Sequence, residues 1–389
     1  MKIKSINTCK NIVGKKVLLR IDFNVPIKNA KVADDYKIIR ALDTIKFLMK
    51  NNCKIIIVTH LGRPVPGQRE KEYSVKPVAS KLSQMLSKKI EVVDDFKTLA
   101  GGTKIGKMQQ GEIVMLENIR YEEGEKENNK DFAKKLSKIA ELYVNDAFAV
   151  CHRSDASVSA IKNFLPSFAG LLLEQELVNL NKVISPINPL VVLLGGSKIS
   201  TKISLISNFQ NKAEKILIGG AMANNFFVAD GFEVGKSLID DASIAYAKKT
   251  DRKNLFLPVD VIVSTDQTGG NIKIKKINQI SKDDYIFDIG PETIKLYAKY
   301  LKIAKTIIWN GPMGFFEISA FKSGTVSLAQ EIAVRSKGSA FGAVGGGETV
   351  EALRMIGMEQ YIDWVSTGGG AMLSYLGGEN MPGLNGIMN

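Results

Sequence analysis

The chain has 389 residues, of which 45% are hydrophobic, with 34 Gly and 11 Pro, a composition that excludes disorder and collagen-like or low-complexity behaviour. Lys plus Arg number 53 against 40 Asp plus Glu, a formal charge of +13 that calls for an anionic partner of some kind. The length exceeds the roughly 250–300 residues at which single cores stop growing, so two domains are the default. No apolar run approaches the roughly 18–20 residues that span a bilayer, and the start lacks the apolar stretch of a secretory signal.

In chain order, short β-branched runs alternate with helical spacing. Val17-Leu18-Leu19-Arg20-Ile21 reads as a strand, 36–49 as a helix, and 54–59 as a strand buried on both faces. Strands follow at 113–116 and 142–144, with a Lys-rich helix at 129–139 between them. The second half repeats the alternation, with strands at 190–194, 215–218, 306–309 and 340–344. Helices are predicted there at 199–209, 292–301, 323–335 and 349–356. The pattern implies an α/β fold of two doubly wound, Rossmann-like parallel sheets. The expected division is a first domain over 1–168, an interdomain helix over 169–185, a second domain over 186–375 and a tail over 376–389.

The charge is unevenly placed. Up to Ile184 there are 32 basic and 21 acidic residues, and beyond it 21 and 19. Six of the nine arginines lie in the first part, mostly singly at the ends of apolar runs rather than in the runs typical of nucleic-acid binders. Ligands of open parallel sheets bind beyond the carboxyl ends of the strands, so the residues after each run are the candidates. In the first half those positions carry Asp22, Asn24, His60, Arg63, Arg120 and Arg153, with Arg40 on the following helix. Guanidinium groups match carboxylate and phosphate, so this is a pocket for a small phosphorylated acid, with Asp22 and Asn24 for its hydroxyls.

The second half ends its strands in glycine instead: Gly195-Gly196, Gly219-Gly220, Gly311, Gly345-Gly346-Gly347 and Gly368-Gly369-Gly370. Glycine lets backbone amides approach an anion, and a helix starting there adds its positive end, which suggests a nucleotide. G-x-G-x-x-G is absent, and residues 231–237 imitate a P-loop with one residue too few between the glycines. Cys9, Cys53 and Cys151 are scattered and form no C-x-x-C pair, in keeping with a reducing compartment. Cys151-His152 makes a poor nucleophile–base pair, because adjacent side chains on an extended segment face opposite ways. On these residues alone, any carboxylate kinase would fit, and a nucleic-acid-binding module is the alternative from another class.

Residues 20–26, 60–64, 117–120, 195–202, 309–317, 345–349 and 366–371 resemble the phosphoglycerate kinase family in order and spacing, Trp309-Asn310-Gly311-Pro312-Met313-Gly314 above all. The resemblance implies two α/β domains that close like a hinge over their substrates, the last residues packing back on the first domain. It implies 3-phosphoglycerate or 1,3-bisphosphoglycerate on Asp22, Phe23, Asn24, Arg40, His60, Leu61, Gly62, Arg63, Arg120 and Arg153. ADP or ATP with Mg²⁺ is implied at Gly196, Lys202, Gly219, Gly220, Asn310, Glu317, Gly346, Gly347, Glu348 and Thr349, with Glu348 toward the metal. Lys198 resembles the family's transfer-site lysine, Arg40 its partner, and the amides around Gly369 complete the catalytic set. A cytoplasmic monomer requiring neither membrane nor nucleic acid is the corresponding expectation. The chain departs from the family at Glu348, usually Asp, at Ala221, where a third Gly is common, and at Ser374, usually a carboxylate. The extra methylene of Glu348 shifts its oxygen by about 1.5 Å.

Overall fold

The computed structural model describes residues 2–93 and 104–388. It separates into two compact units, Met1–Leu177 with Asn380–Asn389, and Val178–Glu379.

The first unit is built on a six-stranded parallel sheet. In chain order its strands are Lys16–Ile21, Lys54–Val58, Ile90–Val93, Ile113–Leu116, Leu142–Asp146 and Ser167–Ala169. In space they run third, fourth, second, first, fifth, sixth, so the direction of winding reverses at Lys16–Ile21. Val17, Leu18, Leu19, Ile55, Ile56 and Ile57 are all fully buried, as continuous apolar runs must be when helices cover both faces. Burial of each such side chain contributes about 1.5–3 kcal/mol. Helix Tyr36–Lys50 lays Ile38, Ala41, Ile45 and Leu48 onto this core at helical spacing and leaves its opposite face to solvent. It stops at Asn51-Asn52, where Asn52 turns to φ +52°.

Residues 380–388 lie against the same unit. Gly383 donates its amide to the Cys151 carbonyl at 2.8 Å, and Asn145 Nδ2 donates to the Gly383 carbonyl at 3.1 Å. A Cβ on Gly383 would stand 2.7 Å from Cys151 Cα, which makes glycine obligatory at this contact.

The second unit holds a parallel sheet of Leu190–Leu194, Lys215–Ile218, Leu255–Phe256, Thr306–Asn310, Phe341–Gly345 and Trp364–Val365. Its spatial order is third, second, first, fourth, fifth, sixth, the doubly wound order with a crevice between the first and fourth strands. A three-stranded antiparallel sheet of Asp260–Ser264, Lys273–Lys276 and Tyr285–Ile289 adds to it. The two six-stranded sheets are parallel as expected, and this antiparallel sheet is an addition to them. Lys273–Lys276 is an edge of alternating lysines, exposed along most of its length, which no apolar run announces. The predicted helix at 199–209 is a single turn, Ser200–Lys202, followed by helix Ile203–Phe209. Helix Leu171–Ile184 occupies the segment predicted to join the domains.

Candidate functional site

In the first unit the residues after four strands gather at the carboxyl edge of the sheet. Asp22 and Asn24 follow Lys16–Ile21, His60 to Arg63 follow Lys54–Val58, Arg120 sits in the single turn Ile119–Tyr121, and Arg153 follows the turn Phe148–Val150. The winding reversal at the first strand opens this edge.

The geometry is tightly interlocked. Asp22 Oδ2 pairs with Lys37 Nζ at 2.6 Å, and Asp22 Oδ1 accepts the Asn24 amide at 3.2 Å. Asn24 Oδ1 accepts the Gly62 amide at 2.9 Å, and Arg120 Nη1 donates to the Gly62 carbonyl at 2.8 Å. Gly62 takes φ +61°, and a Cβ there would lie 2.3 Å from the Tyr73 ring. Arg40 sits one turn into helix Tyr36–Lys50, its Nη1 bonded to Tyr36 Oη at 3.1 Å and its guanidinium 5.7 Å from that ring. Arg63 is exposed, while Arg40 and Arg153 are half-buried.

Electrostatics define the charge states. Burial opposes ionisation of Asp22, but Lys37 and Arg20 outweigh it and hold the carboxyl far below the usual carboxylate range. Burial, aided by Arg20, Arg120 and Arg153 and opposed by Asp22, keeps His60 neutral, so its 3.7 Å approach to Asp22 is not an ion pair at pH 7. Arg120 is 5% exposed and its Nε has no hydrogen-bond partner, an orphaned donor at a cationic rim. Its ion pair with Asp155, at 3.8 Å, is too long for a hydrogen bond.

Two residues of the anticipated set turn inward. Phe23 and Leu61 belong to the hydrophobic core, and their amides are taken by Thr59 Oγ1 at 2.9 Å and Asn118 Oδ1 at 3.2 Å. Alternation along the chain explains both, since each lies next to a rim residue and therefore faces the other way. Lys37, Tyr36, Asn118 and Arg20 were not singled out for the rim. Lys37 and Tyr36 share helix spacing with Arg40, which was a usable signal.

In the second unit a cleft of about 440 Å³ opens at the crevice, bounded at one end by Gly196, Glu317 and Glu348 and along its wall by Ala221, Phe227 and Met313. The volume suits a small-molecule cofactor or substrate. Phe287 forms part of the wall and stacks on Phe321 at 4.4 Å and on Phe315 at 6.1 Å. This wall comes from strand Tyr285–Ile289 of the antiparallel sheet. Lys236 and Ser237 of the imitation P-loop also line the cleft, but the segment follows helix Met222–Ala229 rather than a strand. Ser237 Oγ is bonded to the Ile286 amide at 2.8 Å.

The glycine turns divide into two kinds. Gly195 and Gly196 donate to the carbonyls of Asn310 (3.0 Å) and Pro312 (2.8 Å), and Gly219 and Gly220 to those of Leu194 (2.8 Å) and Met313 (2.9 Å). A Cβ would stand 2.0 Å from Pro312 O at Gly195, 2.6 Å from Gly196 N at Gly220 and 2.3 Å from Gly195 O at Gly311. These glycines let three strand ends interlock backbone to backbone, and their amides are already spoken for. Asn310 and Thr349 lie buried beneath the rim, where Asn310 Nδ2 donates to the Gly345 carbonyl and Thr349 Oγ1 accepts the Gly311 amide, both at 2.7 Å. Gly347, Gly369 and Gly370 are the other kind: nothing lies within 4 Å of where their Cβ would be. Gly347 opens helix Gly347–Met355, whose first amides have no carbonyl one turn back to receive them.

Lys202 is 7% exposed, and burial lowers its pKa against the opposing pull of Glu348. Lys202 Nζ and Glu348 Oε2 lie 3.7 and 4.0 Å from the ideal Cβ position of Gly196, so a cation and a carboxylate flank one glycine turn. Lys198 and Glu317 are exposed. Among the described residues no three His, Cys, Asp or Glu side chains cluster as a metal site. The Glu348 carboxylate beside the Gly196 turn suits an ion such as Mg²⁺, which is held by one or two carboxylates plus substrate phosphates and water.

A cationic edge on one parallel sheet and a nucleotide-sized cleft on a second define an α/β phosphotransferase. Comparison narrows the class. The chain matches the family described as phosphoglycerate kinase over residues 6–379. It is 40% identical over 387 residues to the phosphoglycerate kinase of Pelotomaculum thermopropionicum, covering 97% of this chain and 98% of that protein. The enzyme of Dictyoglomus turgidum is 41% identical over 383 residues, 96% of each chain. The solved structure of phosphoglycerate kinase from Coxiella burnetii superposes with a TM-score of 0.88 at 38% identity, covering 99% of both chains. The Pyrococcus horikoshii enzyme gives 0.85 at 30% identity, covering 98% of both. The chain belongs to the phosphoglycerate kinase family. It is an enzyme that moves a phosphoryl group between 1,3-bisphosphoglycerate and ADP, forming 3-phosphoglycerate and ATP. No helix among the described residues is long and apolar enough to cross a membrane.

Proposed function

We propose that the first unit holds the phosphorylated acid and the second the nucleotide, with Arg40 and Lys198 acting on the phosphoryl group in transit. The main support is the contrast between the two edges: orphaned Arg120 Nε among cationic side chains on one, and on the other an apolar cleft ending in Gly196 and Glu348, with Lys202 beside the Gly196 turn. Arg63, Arg120 and Arg153 take the phosphate and carboxylate of the acid, and Asp22, Asn24 and neutral His60 take its hydroxyl and backbone oxygens. Gly62 contributes its turn, while Phe23 and Leu61 contribute packing beneath it.

The purine lies in the apolar part of the cleft beside Gly220 and Ala221, with Glu317 on the sugar. The phosphates run toward Gly196, Lys202, Gly346, Gly347 and the start of helix Gly347–Met355. Gly219, Asn310 and Thr349 support that rim from below. Glu348 is the residue that holds Mg²⁺, which when bound neutralises charge on the phosphate oxygens.

The chemistry needs no general base, because the acid's carboxylate (pKa about 4) is already ionised at neutral pH. Lys198, Arg40 and the amides at Gly369 and Gly370 stabilise the charge of the transferring phosphoryl group, as positioned donors do. Direct transfer requires the two ligands to meet, which hinge closure would accomplish in a monomer working in the cytoplasm. A coupled assay of ATP-, Mg²⁺- and 3-phosphoglycerate-dependent 1,3-bisphosphoglycerate formation tests the assignment. Arg120→Ala should raise KM for the acid alone, and Lys202→Ala should raise it for the nucleotide alone. The reverse pattern would sink the assignment.

A further inference from the structure

A buried chain of polar groups runs behind the cationic edge of the first unit. Glu125, in the short helix Glu123–Lys126, is fully buried, and its two carboxylate oxygens accept the Ser157 hydroxyl at 2.6 Å and the Ser157 amide at 2.9 Å. Ser157 Oγ accepts Arg20 Nε–H at 3.0 Å. Arg20 donates Nη1 to the Ile21 carbonyl at 2.6 Å and brings Nη2 within 3.4 Å of His60 Nδ1. Ser157, Arg20 and His60 are 1%, 0% and 2% exposed, so the chain is sealed from water up to the rim. A buried network so fully bonded holds its members in one arrangement.

The chain has no part in the transfer chemistry described above. It does place one negative charge behind one positive charge, both in low dielectric. We propose that Glu125 is a positioning residue for the acid substrate: through Ser157 it orients Arg20 and offsets that guanidinium's charge, setting how strongly the rim attracts an anion. This rests on the reading that the rim takes the phosphorylated acid.

The charged and titratable groups facing Glu125 are Arg20 and Arg120, which favour its ionised form, and Asp155 and Tyr143, which do not. Tyr143 Oη is held by donating to the Ser157 carbonyl at 2.8 Å. Burial, moderated by Arg20 and reinforced by Asp155, pushes Glu125 up to about 7. Ionised Glu125 cancels part of Arg20's field at the rim; protonated Glu125 leaves that field intact. Anion affinity therefore falls between pH 6 and 8 beyond any change due to the substrate's own titration.

The test measures KM for 3-phosphoglycerate and for ATP from pH 6 to 8 in the wild-type chain and in Glu125→Gln, which keeps the shape without the charge. Taking the ratio of wild type to variant cancels the substrate's titration. For the acid that ratio should be near one at pH 6 and rise severalfold by pH 8, because ionised Glu125 adds one opposing charge behind the rim in a medium of low effective dielectric. For ATP it should stay flat. Ser157→Ala, which keeps the carboxylate but cuts the link, should raise KM for the acid severalfold and leave that for ATP unmoved.

A flat acid ratio, or equal changes in both KM values, overturns the proposal. Should the Gln variant not fold, an unmoved acid KM in Ser157→Ala overturns it equally. Arg120→Ala separates the two levels. If it raises the acid KM while Glu125→Gln and Ser157→Ala do nothing, only this proposal fails; if Arg120→Ala is also silent, the assignment of the rim fails with it.

Discussion

Each of the two units has its own six-stranded parallel sheet, and their carboxyl edges are built from opposite materials. The first relies on charged side chains, several of them buried and held by one another: Asp22 by Lys37, Arg120 by Gly62 and Asp155, Arg20 by Ser157. The second relies on bare backbone, with Gly195, Gly220 and Gly311 allowing strand ends to interlock and Gly347, Gly369 and Gly370 leaving open space. A side-chain edge is tuned by charge and is therefore sensitive to pH and salt. A backbone edge is tuned by excluded volume and is sensitive to a single methyl group. One fold can thus present two recognition surfaces that fail in different ways.

The comparison can be broken most decisively at the transfer step. Arg40→Ala and Lys198→Ala should each lower kcat about 100-fold or more, as removal of one transition-state donor does. Near-normal kcat in either would remove that residue from the chemistry. Next comes a pair within the backbone edge. Gly220→Ala combines φ +61° with Cβ contacts of 2.6–2.8 Å to backbone atoms, so it should cost about 3 kcal/mol or more in urea unfolding. Gly347→Ala meets nothing within 4 Å and should stay within about 0.5 kcal/mol, although KM for the nucleotide rises if the backbone approaches a phosphate. Equal stability losses in the two variants would erase the distinction between interlocking and open glycines.

The second unit also holds a titrating group away from its glycine edge. Asp288, 2% exposed, accepts the amides of Gly324 at 2.7 Å and Ile289 at 2.9 Å, and burial pushes it from 3.8 up to about 7. A carboxyl raised in the fold contributes stability that is complete below its unfolded pKa and lost as pH rises through its folded one. Asp288 therefore costs the fold up to about 1.4 kcal/mol per pH unit between pH 4 and 7. Asp288→Asn should remove that slope from stability measured by urea unfolding across this range. An unchanged slope would mean that Asp288 stays ionised. The smallest effect is expected from Glu348→Asp, which should shift the Mg²⁺ concentration for half-maximal rate severalfold with little change in kcat at saturation. An unchanged Mg²⁺ dependence would take the metal role away from Glu348.

Much of the site was legible because parallel sheets put chemistry at strand ends, and strand ends can be read from where an apolar run stops. That rule reached Asp22, Asn24, His60, Arg63, Arg120 and Arg153, and it marked all the glycine turns. Phe23 and Leu61 come from the family resemblance rather than from that rule, and their side chains lie in the core. The rule could not sort the glycines, since Gly195 and Gly347 are indistinguishable in sequence and differ only in what stands opposite them. It passed over the antiparallel strand Lys273–Lys276, whose lysines carry no apolar signal, although Asp260–Ser264 beside it has one.

Composition and pattern alone determined that this is a two-part α/β chain with charge concentrated in its first half and glycine at the strand ends of its second. Periodicity and local order carry that information, because they act over a few residues. Only tertiary structure decided that His60 is neutral, that Asp22 stays ionised, that Glu125 stands behind Arg20, and which glycines touch backbone. Desolvation and close approach depend on what folds against a residue from far along the chain, and no spacing in the sequence records it. The +13 excess acquires a meaning only when Arg20, Arg120 and Arg153 are seen around one edge, with Glu125 and Asp155 buried behind the first two.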